Sequence, residues 1–197
     1  MIRVIASISG LVLAVGILYA LQQTKPGYAD ITKPIAVHGT IGDRLMARNF
    51  ELTATKVTLA QRIVLRTGTK EQVFETTGLW AVVEAKAAAR HESVTVIAAS
   101  WRGPSGSRYA MSQRFSTMPG LLPSERLEPG LPRNVLMLFE LPENQVKDAT
   151  ILVSRTPFAP IDNELHIKAN VPIPLFVRNV ARVTRGSTAG DWRLEIQ

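Results

Sequence analysis

Between Leu79 and Ala89 the chain reads Leu-Trp-Ala-Val-Val-Glu-Ala-Lys-Ala-Ala-Ala, and the placement of its charges decides which folds are open to it. By composition it invites a helix, since Ala, Glu and Lys are among the best helix formers. At about 100° per residue, however, Glu84, Lys86, Arg90 and Glu92 would fall near 0°, 200°, 240° and 80°, leaving no apolar stripe. At period two, all four charges join Trp80, Val82 and Ala88 on one face. Leu79, Ala81, Val83, Ala85, Ala87 and Ala89 then form a wholly apolar one. The segment from Gly78 to Val96 is therefore predicted to hold a core strand with a small, alanine-lined inner face. Ala85, Ala87 and Ala89 should be buried, and Glu84, Lys86 and Arg90 should not.

The same period recurs along the chain. Glu164 to Val171 and Asp191 to Ile196 alternate polar and apolar residues, and Asn134 to Leu141 is a short apolar run bounded by Pro132 and Pro142. Val94 to Trp101 and Arg108 to Phe115 flank Arg102-Gly103-Pro104-Ser105-Gly106-Ser107, a hairpin signal. Phe50 to Leu59 and Ala149 to Arg155 complete the set, and Pro119 to Pro132 reads as a longer crossing loop. With no amphipathic helix, the pattern predicts an all-β protein, an immunoglobulin-like β-sandwich of about seven to nine strands.

Ahead of it, Val4 to Leu21 is an apolar run interrupted only by Ser7 and Ser9, at the lower limit of about eighteen residues for spanning a bilayer. A cleaved signal needs small residues at −3 and −1, and Leu18-Tyr19-Ala20 puts a large Leu at −3. The run is read as an uncleaved transmembrane anchor; a cleaved signal peptide and a buried core helix are the other readings. Arg3 and the α-amino group would hold the N-terminus in the cytoplasm. The expected layout is a cytoplasmic tip and anchor over residues 1–23, a juxtamembrane linker over 24–34 and an exported domain over 35–197. That domain would carry a C-terminal extension from about residue 172 and lie in the periplasm of a bacterial inner membrane. Small residues let helices approach closely in a bilayer, so Ser9, Gly10, Ala14 and Gly16 are candidates for helix packing.

Cysteine is absent, which excludes disulfides, thiol chemistry and cysteine-based metal sites. The formal net charge is +7, but Lys and Arg are scattered and aromatic residues do not interleave with them. Nucleic-acid binding by a stacking platform is therefore not expected.

The order of these signals resembles a bacterial family of exported, membrane-tethered immunoglobulin-like domains of unassigned function, with the fold of the mycobacterial immunoprotective extracellular protein. The matching residues are Gly42-Asp43, then Thr77-Gly78-Leu79-Trp80-Ala81-Val82-Val83. Gly106-Ser107-Arg108-Tyr109 follows, and Leu127-Glu128-Pro129-Gly130 leads into Leu138-Phe139-Glu140-Leu141-Pro142. The resemblance covers about Gly39 to Val153. Ala89-Arg90-His91-Glu92 stands where the family has an Asn-containing turn, and the tail from about Pro172 has no counterpart. The resemblance implies a sandwich with a binding or scaffolding role and supplies no catalytic residues.

Candidate chemistry is sparse. His38, His91 and His166 lie far apart in no metal-ligand spacing, so no metal or cofactor is expected. His166 shares a polar strand face with Glu164 and Lys168 and reads as a solvated surface residue. No GxSxG elbow occurs, and Gly103-Pro104-Ser105-Gly106 is explained as a hairpin turn. Arg178, Arg182 and Arg185 punctuate Phe176 to Arg185 and would form a basic stripe on either a strand or a helix. A guarded edge strand is the plainer explanation of these charges. The sequence thus points to a non-catalytic binding module, an accessory subunit of an inner-membrane transport, export or envelope assembly with a multi-spanning or envelope protein as partner. The alternative is a periplasmic receptor for an anionic ligand or polymer, using the arginine stripe. A hydrolase comes third.

Overall fold

The computed structural model describes residues 2–24, 32–67, 69–116, 118, 120–157, 161–171, 180–185 and 192–196. For residues 2–9, 67, 70, 180, 182, 184, 185 and 192–196 only the backbone is described. The chain divides into two units, Met1–Lys33 and Pro34–Gln197.

The first unit contains one helix, α1 (Ile2–Gln23), 22 residues long. From Leu11 to Leu21 its apolar side chains stand in the open, with Leu11, Leu13 and Leu18 each about two-thirds exposed (66%, 67% and 66%). Among the described residues no helix is long and apolar enough to cross a membrane, and the described side chains of α1 begin only at Gly10. Most of the expected linker, residues 25–31, lies outside the described residues.

The second unit is a β-sandwich. One sheet has five strands in the order β1 (Ile35–Thr40), β11 (Asn163–Ala169), β10 (Ala149–Ser154), β6 (Ala98–Arg102) and β7 (Arg108–Ala110). The other has six: β13 (Trp192–Ile196), β12 (Val180–Arg185), β3 (Phe50–Thr67), β4 (Lys70–Ala89) and β9 (Arg133–Leu141), with β2 (Leu45–Met46) paired to β3. β5 (Val94–Thr95) and β8 (Arg126–Leu127) form a small separate ladder.

The inner faces meet in the main core. β4 contributes the predicted apolar row, with Ala85, Ala87 and Ala89 at 2%, 1% and 3% exposure, while Lys86 and Arg90 are exposed and Glu84 is half-buried. The same cluster takes Trp101 from β6, Ile151 and Val153 from β10, and Leu165 and Ile167 from β11. Small side chains on one sheet thus share the interior with large ones on the other, which interiors at native density require. Trp101 is anchored further by its indole N–H, which donates to the Gln145 carbonyl at 2.8 Å.

The opposite face of β4 departs from the sequence reading. Trp80 and Val82, which the alternation places with the charges, are fully buried in a second core with Ile63, Phe115, Leu136 and Leu138. The segment after β7 lies over this face. Phe115 meets Trp80 edge-on at 5.1 Å and Phe74 at 4.4 Å. For that reason the expected strand Arg108 to Phe115 stops at Ala110 and gives way to a single 3-10 turn, Gln113–Phe115, whose first residues are capped by the Ser112 hydroxyl. The predicted strand Val94 to Trp101 is likewise split, with β5 and β6 belonging to different ladders.

β3 and β4 are far longer than expected, at 18 and 20 residues against a usual strand of about five or six. Register shifts at Ala54/Lys56 and Ala60/Arg62 bend the hairpin. Arg62–Glu75 (2.5 Å) and Arg66–Glu71 (3.9 Å) link its distal arms across the strands. β12 adds to that arm in parallel with β3, and β13 pairs antiparallel with β12. The C-terminal segment therefore continues the six-stranded sheet.

Candidate functional site

β11 turns Leu165, Ile167 and Ala169 into the core, so its alternate residues Glu164, His166 and Lys168 belong to the outer face of the five-stranded sheet. Register then fixes what stands beside them. His38, His166, Leu152, Ser100 and Ala110 form one row across β1, β11, β10, β6 and β7. A second row runs Thr40, Lys168, Thr150, Arg102 and Arg108. A third, shorter row is Ala36, Glu164, Ser154 and Ala98.

Glu164 is the hub. Only 8% of it is exposed, and each carboxylate oxygen is engaged. Oε2 lies 2.7 Å from His166 Nε2, and Oε1 accepts from Arg108 Nη1 at 3.4 Å. His166 meets the edge of His38 with ring centroids 5.0 Å apart. Burial pushes the His166 pKa below its ordinary value; the Glu164 hydrogen bond and charge oppose this, and Arg102 and His38 add to it. His166 is thus held neutral, with the proton assigned to Nε2 by the carboxylate it faces. Its Nδ1 is buried and, among the described residues, has no hydrogen-bond partner.

Beside this cluster lies a cleft of about 330 Å³. Ala98, Leu152, Ala110 and Met111 supply its apolar walls, and Ser100, Ser154, Glu164 and Arg108 its polar ones. A smaller cavity of about 150 Å³ shares Ile97, Met111 and Gln113 with it. A third, of about 340 Å³, lies between Thr76–Gly78 and Glu140–Glu143.

Among the described residues no serine hydroxyl is bonded to His166, and Ser154 Oγ donates to the Thr156 carbonyl instead. No group of three or more His, Cys, Asp or Glu suited to a metal occurs among the described residues. The arrangement can bind and orient a polar ligand by charge and hydrogen bonding.

The residues singled out from sequence fall elsewhere. Arg178 lies outside the described residues, and Arg182 and Arg185 are positions of β12. Arg182 is in register with Val64 of β3 and Glu195 of β13, and Arg185 with Trp192. Three residues apart in a strand, these two positions belong to opposite faces of the sheet. Of the helix positions, Gly10 and Gly16 have, among the described residues and beyond α1's own backbone, nothing within 4 Å of where a side chain would begin. Ala14 is exposed, and the side chain of Ser9 lies outside the described residues. His166 is corrected from a solvated residue to one whose side chain is 12% exposed. The alternation Glu164-His166-Lys168 was the available signal for the cluster, but it carries no information about Arg108 or His38.

No protein-family model and no curated protein matches the chain. Among solved structures it is similar to the yjhA protein from Bacillus subtilis, with a TM-score of 0.49 and 15% identity over 67% of this chain and 100% of that one. It is also similar to an uncharacterized beta-sandwich protein from Clostridium difficile 630, with a TM-score of 0.48 and 12% identity over 74% of this chain and 100% of that one. These likenesses carry no functional argument, and the sandwich assignment rests on the strand pairing described above.

Proposed function

We propose that the protein is a non-catalytic binding module of immunoglobulin-like build, tethered by α1 to a bacterial inner membrane with its sandwich in the periplasm. It would serve as an accessory subunit of a transport, export or envelope assembly. The observation that carries this reading is α1 itself. Its apolar side chains from Leu11 to Leu21 are exposed on every side, a distribution unfavourable in water and suited to lipid or to a neighbouring transmembrane helix. The strand order supports the immunoglobulin-like part. β3, β4 and β9 lie in one sheet and β6, β7, β10 and β11 in the other, as do strands A, B, E and C, C′, F, G of such sandwiches. Trp101, fully buried on β6, occupies the strand where those domains place a core tryptophan.

Contacts with the partner would come from the loops, from α1, or from addition of a strand to β1, which among the described residues pairs only with β11. The full chain, purified from membranes in mild detergent, should bring a multi-spanning partner with it, and deletion of residues 1–23 should abolish the association. Recovery of the chain alone under those conditions would overturn the reading.

A periplasmic receptor for an anionic ligand is the second reading. The observation that favours it is the basic row on the five-stranded sheet, a different place from Arg182 and Arg185 on β12.

A further inference from the structure

We propose that the cleft on the outer face of the five-stranded sheet is a binding site for a small organic anion, a carboxylate or phosphate monoester carrying an apolar body, held by Arg108 and Ser100. The inference deepens the receptor reading and is independent of the tether.

Three observations set the ligand's chemistry. The first is charge. Arg102, Arg108 and Lys168 stand in one register row, against the single carboxylate of Glu164 in the row on the far side of His166. Both Glu164 oxygens are already engaged, by His166 and by Arg108, and no carboxylate lies within ion-pair distance of Arg102 or Lys168 among the described residues. His166 is neutral, so the local balance is positive and the favoured guest negative.

The second observation is the state of Arg108. Among the described residues its side chain bonds only to Glu164, at a long 3.4 Å, and 54% of that side chain is exposed. A guanidinium has five donors in a planar fork that matches carboxylate and phosphate oxygens. Most of those donors are uncommitted here, and the fork can turn towards a ligand at the mouth of the cleft.

The third is the shape and lining of the cavity. About 330 Å³ falls at the lower end of the range for small-molecule sites. Behind Arg108 and Ser100 the wall is Ala98, Ala110 and Leu152, which fits an apolar group and gives inorganic anions nothing to bury. A few convergent polar groups over an apolar wall is the usual composition of such sites.

Benzoate is the first probe, titrated into the full chain in a nonionic micelle and followed by calorimetry and by amide shifts of Ala98 and Ala110. Binding should be saturable and salt-sensitive. Arg108→Gln should weaken it roughly tenfold or more, the usual effect of losing a charge-assisted hydrogen bond. Arg102→Gln should weaken it less, and benzyl alcohol should bind no better to the wild type than benzoate does to Arg108→Gln. Phenyl phosphate beside benzoate decides between the two anion types, and a preference for either supports the site. Absence of saturable binding by both probes, or binding indifferent to Arg108→Gln, would overturn the proposal. So would inorganic phosphate binding as tightly as phenyl phosphate, or poly-glutamate binding where neither small probe does. None of these failures would bear on the co-purification test.

Discussion

Gly78 stands where β4 begins to pair with β9, at the position before the Leu79–Leu141 pair. A side-chain carbon there would collide with the Leu141 carbonyl oxygen and crowd the Leu141 carbonyl carbon. Backbone cannot yield as a side-chain tip can, so Gly78→Ala should destabilise the fold by about 2 kcal/mol or more, read as a lowered denaturant midpoint. Trp101 supports a second test. Its ring lies 5.9 Å from that of Phe139, and its indole N–H satisfies the Gln145 carbonyl. Trp101→Phe keeps most of the apolar volume but orphans that carbonyl, at a cost of about 1–3 kcal/mol. On the alanine row, Ala85→Leu should cost a similar ~1–3 kcal/mol by overpacking a site that is 2% exposed. Were Ala85→Leu neutral, the close packing inferred for that row would be wrong.

At the scale of elements, the long β3–β4 hairpin is held by more than its own ladder. Arg114, from the 3-10 turn after β7, lies over Trp80 at 5.1 Å and Phe74 at 5.6 Å. It also donates to the Glu75 carbonyl at 2.9 Å. One side chain therefore ties the crossing segment to both the base and the arm of the hairpin. Arg114→Ala should cost about 1–2 kcal/mol from the cation–π and hydrogen-bond contributions together. The loss should be local. Amide exchange should accelerate over residues 71–75 and leave Ala85 to Ala89, in the main core, nearly unchanged. Uniform acceleration across β4 would show that the arm and the core open as one unit.

For the whole molecule, stability on the acid side should carry the signature of His166. Its folded pKa lies below the ordinary value of 6.5 because burial opposes the charged form. The unfolded chain therefore binds the proton first as pH falls, and stability declines from about pH 6.5 downwards until the depressed folded value is passed. Glu84 acts with the opposite sign. Its pKa is raised by burial, against the pull of Lys56, so its contribution is present below the ordinary Glu value and lost as pH rises through the raised one. Urea midpoints of the wild type should fall as the pH is lowered from about 6.5. The slope should be shallower in His166→Asn, and an identical slope would show that the imidazole titrates as it does in the unfolded chain.

The amino-acid pattern determined the strands whose two faces differ in polarity. The alanine row of β4, the run of β9 and the alternation of β11 and β13 could all be read because a period of two is a local property. It assigned residues to faces; it did not say what covers a face. Trp80 and Val82 share their face with Lys86, and only the docking of Phe115 and its neighbours makes the first two core and leaves the third in water. The distal arm of the hairpin and β12 escaped for a related reason, since β12 finds its partner more than a hundred residues back in the chain. The candidate site depended most on tertiary structure. Glu164, His166, Arg108 and His38 come from three strands joined only by register, and their charges interact through space rather than along the sequence. Sequence patterning reports how each strand partitions between water and core. Which charges meet, and around what cavity, is set by the order in which the strands pair.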